Sequence, residues 1–398
     1  MFDQPTADTL TRRQQKLMQA ILKDYPSIET VLVTSKINQY YLTGTMQEGL
    51  LVLRKDGYVR YFVRKSYERA GLECPLDIVV KVNSYRDMLP DLPTDLGSVG
   101  LETELVTLAT VDKLEKYFKI ASRTSIDRHF LFLRSVKSDQ ELAIISESGR
   151  QHANLLNKIV PGMLCEGMSE TDLLAEVYAA MVKQGHHGVS RFAMAQMELI
   201  VGQLGFGENS LYPTNFNGPG GMRGLSPAVP IIGDRERRLK KGDLIFIDVG
   251  YGVEGYHSDK TQVYSFGSEP SCMAKSVHEA CRSLMRKIWS LLKPGAIPAT
   301  IYQTVIAELP DELSRYFMGY ADDPVKFLGH GVGLQIGEAP VIAAGINEPL
   351  EKNMVIAIEP KCGIPGQGMV GVEETFVITD VGARCLTGGD RDIVVVDC

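Results

Sequence analysis

DLIFIDVGYGVEGYHSDKTQVY, residues 243–264, opens with the apolar run Leu244 to Ile247, too short for a helix of its own and therefore a buried strand, which ends on Asp248. Gly250, Gly252 and Gly255 supply turn chemistry before the chain returns through Tyr256 to Asp259. The two aspartates are symmetric about residues 253 and 254. A hairpin turning there places them opposite one another, with Cβ atoms roughly 4.5–5.5 Å apart. NMVIAIEPKCGIPGQGMVGVEETFVIT, residues 353–379, repeats the arrangement: an apolar run from Met354 to Ile358 leads to Glu359, a Gly/Pro-rich turn is centred near Gly366, and the return strand carries Glu373. Two buried strand pairs are thus expected to hold two acids each, face to face.

Like charges directly opposite destabilise a sheet, and a buried carboxylate without a partner is costly or becomes protonated. A shared proton is one remedy and a cation is the other. Between the two hairpins FLGHGVGLQIGEAP, residues 327–340, sets His330 between two glycines, which would let the backbone pass close to a metal. Asp248, Asp259, Glu359 and Glu373 carry four negative charges, matched by two divalent ions with a neutral imidazole completing the set. Such an oxygen-rich centre selects Mn²⁺, Co²⁺, Fe²⁺ or Zn²⁺. Taken singly, each acid reads as a turn, cap or solvated-edge residue; the ordered set Asp, Asp, His, Glu, Glu is far more specific.

Outside these stretches the 398-residue chain is 44% apolar and 23% charged, with a formal charge of −7, which argues against a nucleic-acid or anionic-membrane partner. No run approaches eighteen apolar residues and the N-terminus lacks a secretory pattern. The seven scattered cysteines suit reduced thiols in the cytoplasm. TVLVTS, GLLVLRKDGYVRYFV and LDIVVKV read as strands of a compact α/β domain, the second centred on an Asp-Gly turn. Ser138 and Glu141 have capping-box spacing at the head of a long helix, so the domains are placed at 1–134 and 135–398. LLNKIVPGM and IWSLLKPGA recur at an offset of 133 residues, a weak internal repeat that implies two similar helix-and-strand halves with a shared site between their sheets.

The ordered ligand set resembles that of the pita-bread metallohydrolases, which include Xaa-Pro dipeptidase, aminopeptidase P and methionine aminopeptidase. Their motifs look like DxG…SD, GHGxG, EP and a final E(D/E), and they read here as DVG…HSD, GHGVG, IEP and VEE. The spacings look closest to the prolidase branch, and LVTSKINQYYLTG and LRSVKSDQEL extend the likeness into the first domain. The resemblance implies an α+β architecture: a smaller creatinase-type α/β N-terminal domain and a pita-bread catalytic domain. It implies that Asp248 chelates one metal, Asp259 and Glu373 bridge both, and His330 and Glu359 bind the second, with Glu359 taking the proton of the bridging water. It also implies a homodimer acting on a small peptide or amide.

Four positions depart from the family pattern. Gly337 stands where HExP has histidine, Thr214 where a proline is followed by histidine, Gln262 at the arginine of SDxTRT and Gly371 at the arginine of RIED. Losing such substrate-holding groups costs on the order of 10²- to 10³-fold each in rate, so replacements are expected. Asn215, Asn217 and Arg223 in NFNGPGGMRGLSP are candidates, as are His186, His187 and His257, the last sharing the strand face of Asp259. The altered set leaves two alternatives to hydrolysis: a metal-dependent lyase on the same fold, such as a dimethylsulfoniopropionate lyase, and a non-catalytic binding protein.

Overall fold

The computed structural model describes residues 2–194, 197–313, 315–322, 324–389 and 391–397, and the chain divides into two compact units, Met1–Arg134 and Ser135–Cys398. In the first, β-branched and aromatic runs pair into a six-stranded mixed sheet in the spatial order Val79–Lys81, Val59–Lys65, Glu48–Arg54, Ile28–Val33, Ser98–Leu101, Ser122–Ser125. The Asp-Gly hairpin forms as the dipeptide requires, Gly57 taking φ +92°. Leu32, Val52, Phe62, Val99 and Leu101 of this sheet are buried with Leu114 and Phe118.

The second unit begins with the capping box of Ser138 and Glu141, which starts the helix Asp139–Asn154. A further helix, Glu170–Lys183, follows, and then a four-stranded sheet ordered Val394–Val396, Tyr256–Phe266, Leu244–Val253, Gly202–Phe206. The helices Cys272–Leu291 and Pro298–Ala307 precede a five-stranded sheet ordered Ile336–Ala343, Phe327–Val332, Val355–Ile358, Glu374–Ile378, Ala383–Cys385. Each half therefore lays two helices beside one sheet. Leu173, Val177 and Met181 cluster with Ile245, Ile247, Tyr251 and Tyr264 in the first half; Cys281, Leu284 and Ile288 cluster with Ile342, Ile356 and Phe376 in the second. Among the described residues an isolated antiparallel bridge, Thr261 to Glu373, joins the two sheets, and the site lies at that junction.

Candidate metal centre

The first hairpin forms two residues out of the expected register, its turn centred one residue later in the chain. Val253 pairs with Tyr256, and Glu254 and Gly255 make a two-residue turn with φ of +47° and +89°. Gly250 consequently faces Asp259 and Asp248 faces Thr261, so the two aspartates are diagonal neighbours on one face rather than direct opposites. The diagonal spacing relieves their repulsion and lets both point to the same space. The second hairpin keeps its symmetry about Gly366: Ile358 pairs with Glu374 and Lys361 with Gly371, which puts Glu359 and Glu373 at facing positions. Glu373 and Glu374 are both only 1% exposed, so neither is a solvated edge. Glu374 belongs to the other face, where it takes the ammonium of buried Lys260 and the Thr387 hydroxyl.

His330 sits in the strand Phe327–Val332 between the other two strands of the core ladder, facing Val341 on one side and Ala357 on the other. Its glycines serve the neighbouring strands. A Cβ on Gly329 would lie 2.2 Å from the Ala357 carbonyl oxygen, and one on Gly331 would lie 2.2 Å from the Ala339 carbonyl oxygen. The bare setting is thus a packing requirement of three close strands rather than room for a metal. Gly331→Ala is expected to lower the unfolding free energy by about 1–3 kcal/mol, the usual cost of overpacking, read as a shift in the urea midpoint; an unchanged midpoint would show that the strands part freely.

The five side chains converge. Asp259, His330 and Glu373 each offer a donor atom within 4.8 Å of the others, and so do Asp248, Glu359 and Glu373. His330 Nε2 is 3.3 Å from Glu359 Oε1, 3.8 Å from Glu373 Oε1 and 3.9 Å from Asp259 Oδ2. The other pole contains a cation that belongs to the chain. Lys361 Nζ donates to Asp248 Oδ2 at 2.7 Å, Glu359 Oε2 at 2.9 Å and Glu373 Oε2 at 2.7 Å, and the residue is wholly buried. Thr261 Oγ1 also donates to Glu373 Oε2, at 3.1 Å.

These contacts set the protonation preferences. Burial pushes Asp248 and Asp259 up, and the charge of Glu373 adds to this at both; Lys361 opposes it. Burial works against the Lys361 ammonium, but the charges of Asp248, Glu359 and Glu373 outweigh it and hold the group well above the usual lysine value. Burial likewise works against a charged His330, and the hydrogen bond and charge of Glu359, with Glu373, turn the balance upward. Glu373 Oε1 is buried without a hydrogen-bond partner. An orphaned carboxylate oxygen beside an imidazole nitrogen and two further carboxylate oxygens fits a divalent ion.

The pocket over this centre is lined by Asp248, Gly250, Asp259, His330, Glu359 and Glu373 below, and by Phe192, Leu199, Gly202, Gln203, Phe216, Asn217 and Gly218 around it. Of the expected substrate contacts, Asn217 is present. Thr214, Asn215, Arg223 and Gly337 fall outside the lining. Thr214 Oγ1 caps Phe216 N at 3.1 Å, and the Arg223 guanidinium leans on Tyr212 and Asp234. Asn215 is exposed, and Gly337 is exposed with φ +83°. His257 is fully buried and spent on backbone, Nε2 accepting from Arg191 N at 3.2 Å and Nδ1 donating to Gly333 O at 3.1 Å. His186 and His187 accept from Gly252 N and Gly255 N, bracing the first hairpin's turn. Gln262 bonds to the Val263 and Asp392 carbonyls on the other sheet face.

Lys361, Gln203, Phe192 and Phe216 belong to the centre or its pocket without standing among the expected site residues. Lys361 carries a legible signal: it stands two residues after Glu359 in an apolar run, hence on the same face. Gln203 pairs across the sheet with Asp248, and neither of its buried amide atoms has a partner.

A nitrogen and several carboxylate oxygens around a pocket at the junction of two sheets define the class, a metallohydrolase-type centre. The model of metallopeptidase family M24 matches residues 143–380 and that of the creatinase/prolidase N-terminal domain matches residues 13–136. The chain belongs to metallopeptidase family M24. It is 27% identical over 390 residues to a Xaa-Pro dipeptidase of Pyrococcus furiosus, covering 97% of this chain and 100% of that one. It is 31% identical over 273 residues to a probable dipeptidase, PepE, of Mycobacterium tuberculosis, covering 66% of this chain and 61% of that one. The crystal structure of the prolidase from Pyrococcus horikoshii superposes with a TM-score of 0.78 at 24% identity, over 96% of this chain and all of that one, and so shares its two-domain fold.

Proposed function

We propose that the protein is a metal-dependent dipeptidase that cleaves a dipeptide or small amide, with Xaa-Pro dipeptides as the first substrates to test. The observation that carries this is the convergence of Asp248, Asp259, His330, Glu359 and Glu373 on one pocket; the full-length likeness to Xaa-Pro dipeptidases supports it. Neither the lyase nor the binding-protein alternative gains support from these relatives. Four carboxylates suggest up to two ions, from Mn²⁺, Co²⁺, Fe²⁺ or Zn²⁺, and Asp259, His330, Glu359 and Glu373 are the residues that would hold an ion at the open pole. A bound divalent ion supplies a water that is deprotonated near neutral pH and polarises the scissile carbonyl.

The remaining work falls to the chain's own residues. Glu359 Oε2 is fixed by Lys361 at 2.9 Å, which leaves Oε1 toward the pocket to accept the proton of the attacking water and return it to the leaving amine. Phe192 and Phe216 meet edge to face at 4.8 Å between centroids, an apolar wall for a substrate ring or side chain. Gln203 offers one donor and one acceptor to the peptide unit. Six free cysteines among the described residues support a reducing, cytoplasmic setting; the homodimer rests on the family resemblance alone.

Release of free amino acids from a panel of Xaa-Pro and other dipeptides, with each divalent ion added in turn, tests the proposal; metal-loaded protein that cleaves none of them would overturn it. Gln203→Leu is expected to lower kcat/KM by about tenfold, the equivalent of one hydrogen bond, with metal content unchanged. A kcat/KM equal to that of the parent would place Gln203 outside the substrate's reach.

A further inference from the structure

Lys361 has a consequence for how many ions the centre takes. We propose that this centre is mononuclear by construction: the Lys361 ammonium stands in for one of two cations, and a single divalent ion binds at the opposite pole, among His330, Asp259, Glu373 and Glu359. The inference rests on the metal-dependent reading above.

The geometry at the two poles differs in kind. At one, an ammonium with three hydrogens meets three carboxylate oxygens, from Asp248, Glu359 and Glu373, at 2.7–2.9 Å, so every donor and every facing acceptor is used. Glu373 divides its carboxylate between the poles: Oε2 takes Lys361 and Thr261, while Oε1 is buried and unpartnered. Glu359 does the same, giving Oε2 to Lys361 and turning Oε1 to His330 at 3.3 Å. Asp248 gives Oδ2 to the lysine pole, and Asp259 Oδ2 lies 3.9 Å from His330 Nε2 at the open one.

A divalent ion at the lysine pole would need those same oxygens at about 2.0–2.2 Å. It would then lie in contact with Nζ, two cations in one space. The lysine is also fixed from behind. It faces Gly371 across the second hairpin, where even a methyl group would come within 2.5 Å of the Lys361 Cα and 3.1 Å of its Cβ. The glycine found where the family motif carries arginine therefore lets the two strands approach closely at the rung that carries Lys361. The cation on this ladder rung is Lys361, and it reaches into the centre.

Charge counting points the same way. Four carboxylates, one ammonium and one divalent ion sum to −1; a second divalent ion would bring the total to +1 among acids that are all buried, before any hydroxide is counted.

The test is stoichiometry. Metal-free protein is loaded with excess Mn²⁺, freed of unbound ion by gel filtration and measured by elemental analysis and by electron paramagnetic resonance. One equivalent per chain with an isolated six-line signal is expected, where a coupled pair would give two equivalents and an exchange-broadened spectrum. Asp248→Asn, at the residue whose Oδ2 takes the lysine at 2.7 Å, is expected to keep the one equivalent, and Lys361→Met to gain a second. Two equivalents in the parent protein, or a loss of ion in Asp248→Asn, overturns the inference and leaves the metallohydrolase reading standing. No bound ion at all overturns both. Should Lys361→Met fail to fold, the parent and Asp248→Asn decide the matter between them.

Discussion

His330→Ala is expected to lower kcat/KM for any dipeptide the protein cleaves by at least about 100-fold, beyond the 10- to 100-fold typical of groups that merely orient a ligand. His330 is the one nitrogen donor of the centre, and its Nε2 faces three carboxylates within 3.9 Å. Without the imidazole the remaining donors are all carboxylate oxygens, which favour Mg²⁺, Ca²⁺ or Mn²⁺ over Zn²⁺ and Co²⁺. The variant should therefore lose Zn²⁺ and Co²⁺ on gel filtration while its residual activity, if measured, responds best to Mn²⁺. The fold should survive, because the strand is held by its backbone ladder to Val341 and Ala357, while the imidazole bonds the Glu359 carboxylate and its own neighbour Gly331 O, at 3.2 Å, rather than the backbone of an adjacent strand. Full Zn²⁺ retention with kcat/KM within about threefold of the parent would remove His330 from the centre.

Much of the centre is legible because a strand has a period of two. Asp248 and Asp259 close apolar or glycine-rich strand segments, Glu359 and Glu373 do the same, and once each hairpin is drawn their side chains fall on one face. The register of the first hairpin is not legible from that symmetry. Its turn is Val-Glu-Gly-Tyr, without the Asn-Gly or Asp-Gly signal, and the two-residue turn at Glu254 and Gly255 forms because Glu254 accepts φ +47°. The glycines around His330 are visible in the sequence, but their reason is tertiary: the carbonyls of Ala357 and Ala339 belong to strands far along the chain or across a tight return. The pocket's outer wall is read least well. Phe192, Phe216 and Asn217 come from loops with no periodicity, and nothing in a single sequence says which face of a loop turns inward. Thr214, Asn215 and Arg223 lie close by in sequence yet turn to solvent or to their own loop.

Lys361→Met is expected to destabilise the metal-free protein by about 3–5 kcal/mol, the cost of breaking a buried ion pair from one side, and this is the largest stability effect the centre should show. The parent ammonium offsets three carboxylates that are 9%, 3% and 1% exposed, at Asp248, Glu359 and Glu373. Methionine keeps most of the stem's volume while removing the ammonium, which lies 5.8 Å from the Phe246 ring centroid, so the change acts mainly on charge rather than packing. What it leaves is a cluster of acids with no cation, the arrangement that the sequence of acids alone first suggested should bind two metals. Divalent ion should accordingly rescue the variant more than the parent. An ion at 100 times its dissociation constant stabilises by about 2.7 kcal/mol per site, and the variant has two sites to fill where the parent has one. Urea midpoints of both proteins, each with chelator and with saturating Mn²⁺, separate the cases: a large deficit with chelator that shrinks on adding metal is the expected result. A variant as stable as the parent under chelation would mean that the carboxylates do not need the lysine, and that Lys361 is a passenger in the space it occupies.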